Sequence, residues 1–226
     1  LFFRHFLHLG TRRTLTVDVR RPDRTRATLI GLVNQYGSVA LAVLQGVVLV
    51  PTYLKHIDER TYGAWLASGN VIAWLAFIDP GVSGVIQQRV AAAYGRRDFD
   101  RVTRSLGTGL AINLSFGAIV GSLGLLLAPL VPWLTHLDAD LARPIALNFA
   151  LAAVSEAALL WALALASVPM ALMARPIAVG LGYQLCTLFG IGATVALLRA
   201  GVGLPSIPLG LLARALTLLI SNAVLA

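Results

Sequence analysis

Six apolar segments, each long enough to cross a lipid bilayer, constrain the fold of this chain more than any other feature. A membrane-spanning helix needs roughly 20 mostly apolar residues. No segment alternates apolar and polar residues over about ten positions, as the strands of a membrane barrel do. We therefore predict an all-α polytopic membrane protein with six transmembrane helices. The predicted spans are Thr28 to Tyr53, Tyr62 to Ile86, Leu106 to Leu127, Pro144 to Val168, Ile177 to Leu198 and Ile207 to Ala226.

The composition excludes a soluble domain of this size. Hydrophobic residues make up 58% of the 226 residues and charged residues only 12%, whereas a soluble globular chain is about half apolar and about a quarter charged. So few charges cannot cover a water-exposed surface, and lipid has to cover the remainder. The single cysteine, Cys186, excludes a framework of internal disulfides.

The basic residues predict the orientation, because cytoplasmic loops of membrane proteins carry an excess of Lys and Arg. With the N-terminus in the cytoplasm, thirteen basic residues lie inside and four outside, and one more lies within the sixth span. This ratio predicts a cytoplasmic N-terminus. The outside residues are Lys55, Arg60, Arg143 and Arg199, and the inside residues after the tail are Arg89, Arg96, Arg97, Arg101, Arg104 and Arg175.

Residues 1–27 differ from the remainder of the chain and hold seven arginines. A signal peptide has its charges first and its apolar stretch second, and here the order is reversed. We predict a basic cytoplasmic tail that contacts anionic lipid headgroups, in preference to a nucleic-acid-binding arm, and a membrane lobe over residues 28–226. Because the chain starts at Leu1 and stops within an apolar run at Ala226, we expect the N-terminal half of a longer protein.

Several short motifs between positions 53 and 109 follow one another in a characteristic order. Tyr62-Gly63-x-Trp65 opens the second span, Asp79-Pro80-Gly81-x-x-Gly84 follows its apolar part, and Gly84-x4-Arg89 and Gly95-Arg96-Arg97-Asp98 come next. In order and spacing they resemble the polysaccharide-transporter branch of the multidrug/oligosaccharidyl-lipid/polysaccharide exporter superfamily, which includes the O-antigen and capsule repeat-unit flippases. Pro80 departs from the Asp-Leu-Gly-x-Gly that these proteins commonly carry.

The resemblance implies one lobe of a two-lobed flippase fold in the bacterial inner membrane, completed by a second six-helix lobe. It implies that the protein flips or exports polyprenyl-diphosphate-linked oligosaccharide for surface polysaccharide and lipopolysaccharide synthesis. Transport would proceed by alternating access, with one lobe rocking against the other, and with coupling to H⁺ or Na⁺. The alternatives are a cation-coupled drug exporter of the same superfamily and a non-transporting membrane scaffold.

Ionisable residues within membrane spans are costly and usually face a cavity, so they are the first candidates for a substrate site. Arg214 lies in the sixth span, and its guanidinium suits a pyrophosphate because it offers planar, multidentate donors. Glu156 lies near the middle of the fourth span and shares a helix face with Asn148 and Ser155. It is interpreted either as a cavity acid that couples transport to a cation or as a structural partner of Arg214.

The first span is unusually polar, because Asn34, Gln35 and Tyr36 follow one another within it. Their amides and phenol can hydrogen-bond sugar hydroxyls without carrying charge. The alternative is polar contact between helices, worth about 1 kcal/mol or less for each bond.

The second span is interrupted by Asp79, Pro80 and Gly81. Proline supplies no backbone N–H and glycine loosens the backbone, so this segment is predicted to be a hinge with a cation-binding carboxylate. The alternative for Asp79 is an acid at a helix end or in a loop, paired with Arg89 or with an arginine of the tail. Arg89 itself is predicted either to contact the substrate headgroup at the cytoplasmic mouth of the cavity or only to contribute to the positive charge that orients the protein in the membrane.

The sequence indicates neither a metal site nor a nucleotide-binding site. The four histidines share no ligand spacing with cysteines or acids, and no phosphate-binding loop or dinucleotide fingerprint is present. We therefore expect no enzyme activity, no metal and no cofactor.

Overall fold

The computed structural model describes residues 24–76, 82–173 and 176–225, and the secondary structure of these residues is entirely helical. The eight helices of the described residues are α1 (Arg24–His56), α2 (Glu59–Ala76), α3 (Val82–Gly95), α4 (Phe99–Leu127), α5 (Val131–Leu134), α6 (Ala139–Met173), α7 (Pro176–Arg199) and α8 (Ser206–Leu225).

Five of these helices are long and apolar enough to cross a membrane, namely α1, α4, α6, α7 and α8. They coincide with five of the six predicted spans, as expected for a polytopic helical membrane protein. The second predicted span is not among them, because residues 77–81 within it lie outside the described residues; α2 and α3 lie on either side of them. Asp79, Pro80 and Gly81 lie outside the described residues, as do residues 1–23 of the predicted tail.

Local sequence explains where two of the connections fall. Asp98 precedes α4, and its Oδ1 accepts a hydrogen bond from the backbone N–H of Arg101 at 3.0 Å, which caps the helix. Gly201 and Gly203 follow α7 with φ angles of 79° and 71°. Both angles lie in the left-handed region, which glycine adopts without a steric cost, and the chain therefore reverses there into α8.

The larger hydrophobic core lies at one end of the helical bundle, where α1, α4 and α7 finish and α2, α6 and α8 begin. Helices that follow one another in the chain, such as α6, α7 and α8, therefore run antiparallel, whereas the packed pairs α6 with α8 and α1 with α7 run parallel. We call this end the α7–α8 end, after the turn that joins those helices. Its buried members include Tyr53, Trp65, Val131, Phe149, Leu198 and Ile207.

A second, smaller core joins α3 to the start of α4 at the opposite end of the bundle. It consists of Ile86, Val90, Ala93, Val102 and Leu106. The long helix α6 packs against both α4 and α8, whereas α1 packs mainly against α7. As a result α6 is the most buried of the five candidate spans and α1 the least buried.

Candidate functional site

The intramembrane cation Arg214 is held between α7 and α8. Its Nη2 donates a hydrogen bond to the hydroxyl of Tyr183, and its guanidinium carbon lies 4.8 Å from the centroid of the same ring. The Nε of Arg214 is buried and has no hydrogen-bond partner among the described residues. The guanidinium is thus fixed by one neighbour and retains an unused donor within the apolar part of the bundle.

Two facing glycines allow α7 and α8 to approach closely beside this arginine. A Cβ on Gly190 would lie 2.7 Å from Cβ of Arg214, and a Cβ on Gly210 would lie 1.8 Å from Oγ1 of Thr194. Either distance is far below a van der Waals contact. The absence of side chains at these two positions therefore determines how deeply Arg214 sits between the helices.

A small cavity of about 10 Å³ adjoins Arg214, which is close to the minimum that holds one water molecule. Gln45 of α1 and the hydroxyl-bearing Thr187 and Thr194 of α7 contribute to its wall. The two threonine hydroxyls donate to backbone carbonyls of their own helix, Tyr183 O and Gly190 O respectively. The surroundings of Arg214 are therefore polar but leave no room for a substrate headgroup in this state.

Glu156 is partly buried on α6 and interacts electrostatically with Arg214. In the described part of the chain the two side chains form neither an ion pair nor a hydrogen bond. The direct contact that one interpretation of the sequence predicted between Glu156 and Arg214 is therefore not present. The neighbouring Ser155 is 2% exposed and donates to the backbone oxygens of Leu151 and Pro208 at 2.8 and 3.0 Å. Ser155 therefore ties α6 to α8 and is not a wall residue of a cavity.

Asn34 of α1 faces α7, where the Nε2 of Gln184 donates to its Oδ1 at 3.3 Å. Close approach of the two helices requires glycine here as well, because a Cβ on Gly180 would lie 1.7 Å from Nδ2 of Asn34. This geometry favours the helix–helix interpretation for Asn34. The adjacent Gln35 and Tyr36 point away from the bundle, and Tyr36 is 70% exposed.

Arg89 is exposed on α3, at the end of the bundle opposite the α7–α8 turn. Arg89 therefore does not share a site with Arg214, which lies in α8 beside the α7 residues 183–194. The hinge prediction for Asp79, Pro80 and Gly81 concerns residues outside the described segments and stays a prediction.

Sequence reasoning missed Tyr183 and Gln184, the two α7 side chains that engage Arg214 and Asn34. Tyr183 lies 31 residues before Arg214, and Gln184 lies 150 residues after Asn34. No local spacing in the sequence could therefore have paired them. The available signal was that both are polar residues within the fifth apolar segment.

No protein-family model matches this chain, and neither a curated protein sequence nor a solved structure matches it.

Proposed function

We propose that this protein forms one six-helix lobe of a flippase for polyprenyl-diphosphate-linked oligosaccharide in the bacterial inner membrane. The observation that carries the proposal is Arg214, a charged side chain within the apolar bundle whose buried Nε has no partner in the described part of the chain. Burying such a group costs free energy, so an ionisable side chain within a membrane span is a candidate for a functional site. A diphosphate is a ligand whose charge and oxygens suit a guanidinium.

The exposed surface of α1 supports a second lobe as the partner of this one. Gln35 and Tyr36 lie on it, uncovered by any described helix, and α1 contacts little of the bundle apart from α7. A second lobe on this side would create an interface with polar side chains that can hydrogen-bond sugar hydroxyls. The polar substrate would then pass between the lobes by alternating access.

A sixth crossing by α2 and α3 together is part of the proposal. Tyr62 and Trp65 of α2 belong to the core at the α7–α8 end, while Ile86 and Val90 of α3 belong to the core at the opposite end. Val102 of the second core and Ala128 of the first lie at the two ends of α4, about 39 Å apart at 1.5 Å per residue. A chain that connects the two cores therefore travels as far as a membrane-spanning helix does.

The charges at the two ends support a cytoplasmic N-terminus. Among the described residues, the segment from α3 to the first turns of α4 carries five arginines, and the acids Asp98 and Asp100 accompany them. The α7–α8 end balances its four basic residues with Asp58, Glu59, Asp138 and Asp140. The excess positive charge thus lies at the end where α1 begins, which is the cytoplasmic end by the positive-inside rule.

Glu156 is proposed as the coupling site for H⁺ or Na⁺. It is partly buried within α6, feels the charge of Arg214 and makes no hydrogen bond with a described residue. The same observation favours the second candidate function, a cation-coupled drug exporter. In that case Glu156 rather than Arg214 would contact the substrate.

A transport assay separates the two candidates. The purified protein is placed in liposomes that contain a fluorescent polyprenyl diphosphate bearing one N-acetylhexosamine, and a membrane-impermeant quencher reports movement between leaflets. We expect Arg214→Gln to slow flipping at least tenfold and Arg214→Lys to retain part of the rate, because lysine keeps the charge and loses the planar donors. The matched control is Arg199→Gln, an exposed arginine at the end of α7.

Flipping by the unmodified protein that is insensitive to Arg214→Gln would contradict the proposed role of the arginine. Absence of lipid flipping, combined with ethidium transport that depends on Glu156, would instead identify the cation exporter. Absence of both transport activities would support the scaffold.

A further inference from the structure

An open groove of about 740 Å³ lies at the α7–α8 end of the bundle, away from Arg214. The first half of α6 forms its floor, and the end of α4 and the segment before α8 form its sides. Its volume falls within the range of about 300–1,000 Å³ typical of small-molecule sites. The groove takes no part in the function proposed above.

The length and the apolar lining of the groove suit one hydrocarbon chain. The lining residues of α6 extend from Arg143 through Leu147 and Leu151 to Val154, a rise of about 16 Å at 1.5 Å per residue. This equals about half the thickness of the hydrocarbon core of a bilayer. Leu147 is 58% exposed and Leu125, on the facing wall, is 50% exposed, so the groove opens sideways toward lipid.

Asn148 is a buried polar side chain within this mainly apolar lining. Asn148 is 3% exposed, lines the groove, and has a buried Oδ1 to which no described residue donates a hydrogen bond. Its Nδ2 donates to the carbonyl oxygen of Pro144 at 2.8 Å. Exchanging the amide N and O of Asn148 would place its Oδ1 against the carbonyl oxygen of Pro144, and both atoms are acceptors. The atom without a partner is therefore the oxygen. A buried acceptor of this kind is costly to leave without a hydrogen bond, so an occupant of the groove that carries a donor at this depth would be favoured over one that carries none.

A free cation stands at the water-facing mouth of the groove. Arg143 is exposed, lines the groove and forms no hydrogen bond or ion pair with a described residue. The nearby carboxylates of Asp138 and Asp140 are both bound by Arg60. The hydrogen bond to Asp138 and the charges of both acids raise the pKa of the Arg60 side chain. Arg143 is thus left to attract an anion from outside the chain.

We propose that the groove binds an anionic lipid whose acyl chain is joined through a hydrogen-bond donor, an amide N–H or an adjacent hydroxyl. Arg143 holds the phosphate, and the chain lies along Leu147, Leu151 and Val154. Asn148 is five residues below Arg143, about 7.5 Å deeper, which is the depth of the acyl linkage. A diester lipid offers only acceptors at that depth and leaves the Asn148 Oδ1 unpaired.

Native mass spectrometry of the purified protein tests this proposal with two probes of equal charge and chain length, ceramide 1-phosphate and phosphatidic acid. The first has an amide N–H and a hydroxyl where the second has esters. We expect the ceramide probe to bind at least about fivefold more tightly, because only it pairs with the buried acceptor. Phosphatidylcholine of the same chain length should bind more weakly than either anion.

Three variants assign the roles of the lining residues. Asn148→Leu should reduce the preference to less than twofold without weakening phosphatidic acid binding, whereas Asn113→Leu, an asparagine of α4 outside the groove, should keep the preference. Arg143→Gln should weaken both anionic probes alike, whereas Arg199→Gln should not. Leu147→Trp at the exposed lip should block both probes without disturbing the core.

Equal affinity of the unmodified protein for both anionic probes would overturn the proposal, and so would a preference that survives Asn148→Leu. Binding that is insensitive to Leu147→Trp would place the lipid elsewhere and overturn it as well. If Asn148→Leu fails to fold, the Leu147→Trp and Arg143→Gln results still decide the location.

Discussion

Tyr183 holds Arg214 from two directions, since its hydroxyl accepts a hydrogen bond from Nη2 and its ring lies 4.8 Å from the guanidinium carbon. Both contacts cross the interface between α7 and α8, so they stabilise helix association as well as the position of the cation. A guanidinium that is held by one tyrosine can exchange this partner for a phosphate oxygen. The Tyr183–Arg214 contact therefore serves the structural role of the arginine, and its exchange for a phosphate oxygen would serve the proposed transport role.

Removing the Tyr183 hydroxyl should destabilise the α7–α8 pair. Tyr183→Phe keeps the ring and its cation–π contact but loses a hydrogen bond to a charged donor, for which we expect a loss of roughly 1–3 kcal/mol. The buried thiol of Cys186 reports unfolding when a thiol-reactive dye is added during a thermal ramp. Tyr94→Phe, in the exposed part of α3, is the matched control, and equal melting of both variants would contradict the prediction.

A methyl group at Gly210 should push α7 and α8 apart. Its Cβ would lie 1.8 Å from the Thr194 Oγ1 and 3.1 Å from the Gly190 oxygen, so Gly210→Ala should cost roughly 1–3 kcal/mol by overpacking. The same Cys186 dye assay measures it. Gly192→Ala is the matched control in α7, because a Cβ there meets nothing within 4 Å.

The overpacking at Gly210 should be partly relieved by a second change. Thr194→Ala removes the nearest of the three contacts, the one with Oγ1, so the Gly210→Ala/Thr194→Ala protein should melt above the Gly210→Ala protein. The Cβ of residue 194, at 3.0 Å, and the backbone oxygen of Gly190 stay in place, and recovery should therefore be incomplete. A double variant that melts lower than Gly210→Ala would show that another contact governs the crossing.

Neutralising Glu156 and Arg214 together should cost less than the sum of the two single changes. Each single change leaves one partly buried charge without its opposite, whereas Glu156→Gln/Arg214→Gln leaves none. Because the two side chains interact electrostatically without a direct bond, the coupling should be smaller than for a contact ion pair. A thermal-melt double-mutant cycle measures it, and additive losses would show that the two charges do not interact.

Cysteine labelling from the two sides of the membrane should show that the chain crosses between α2 and α4. In a Cys186→Ala background, Asp58→Cys and His136→Cys should react with an impermeant reagent from the same side, because both residues lie at the α7–α8 end. Arg97→Cys should react from the opposite side. Labelling of positions 58 and 97 from one side would exclude a crossing by α2 and α3.

The five long helices could be predicted from the sequence because the length of an apolar run is a local property that the bilayer itself demands. The interruption of the second segment that Asp79, Pro80 and Gly81 predict lies outside the described residues and stays a prediction. Glu156, in contrast, was predicted to share one face with Ser155. The structure shows Ser155 bonded to α8 and Glu156 only partly buried, because adjacent residues on a helix point about 100° apart.

The sequence by itself determined that the chain is helical and apolar, where most spans lie, and how the positive charge is distributed. Each of these follows from the composition of a contiguous segment. Only the tertiary structure decided that Arg214 meets Tyr183, that Asn34 meets Gln184, and that Asn148 keeps an unpaired oxygen in a lateral groove. Such contacts join residues that are far apart in the chain, and they depend on how closely the glycines at 180, 190 and 210 let the helices approach.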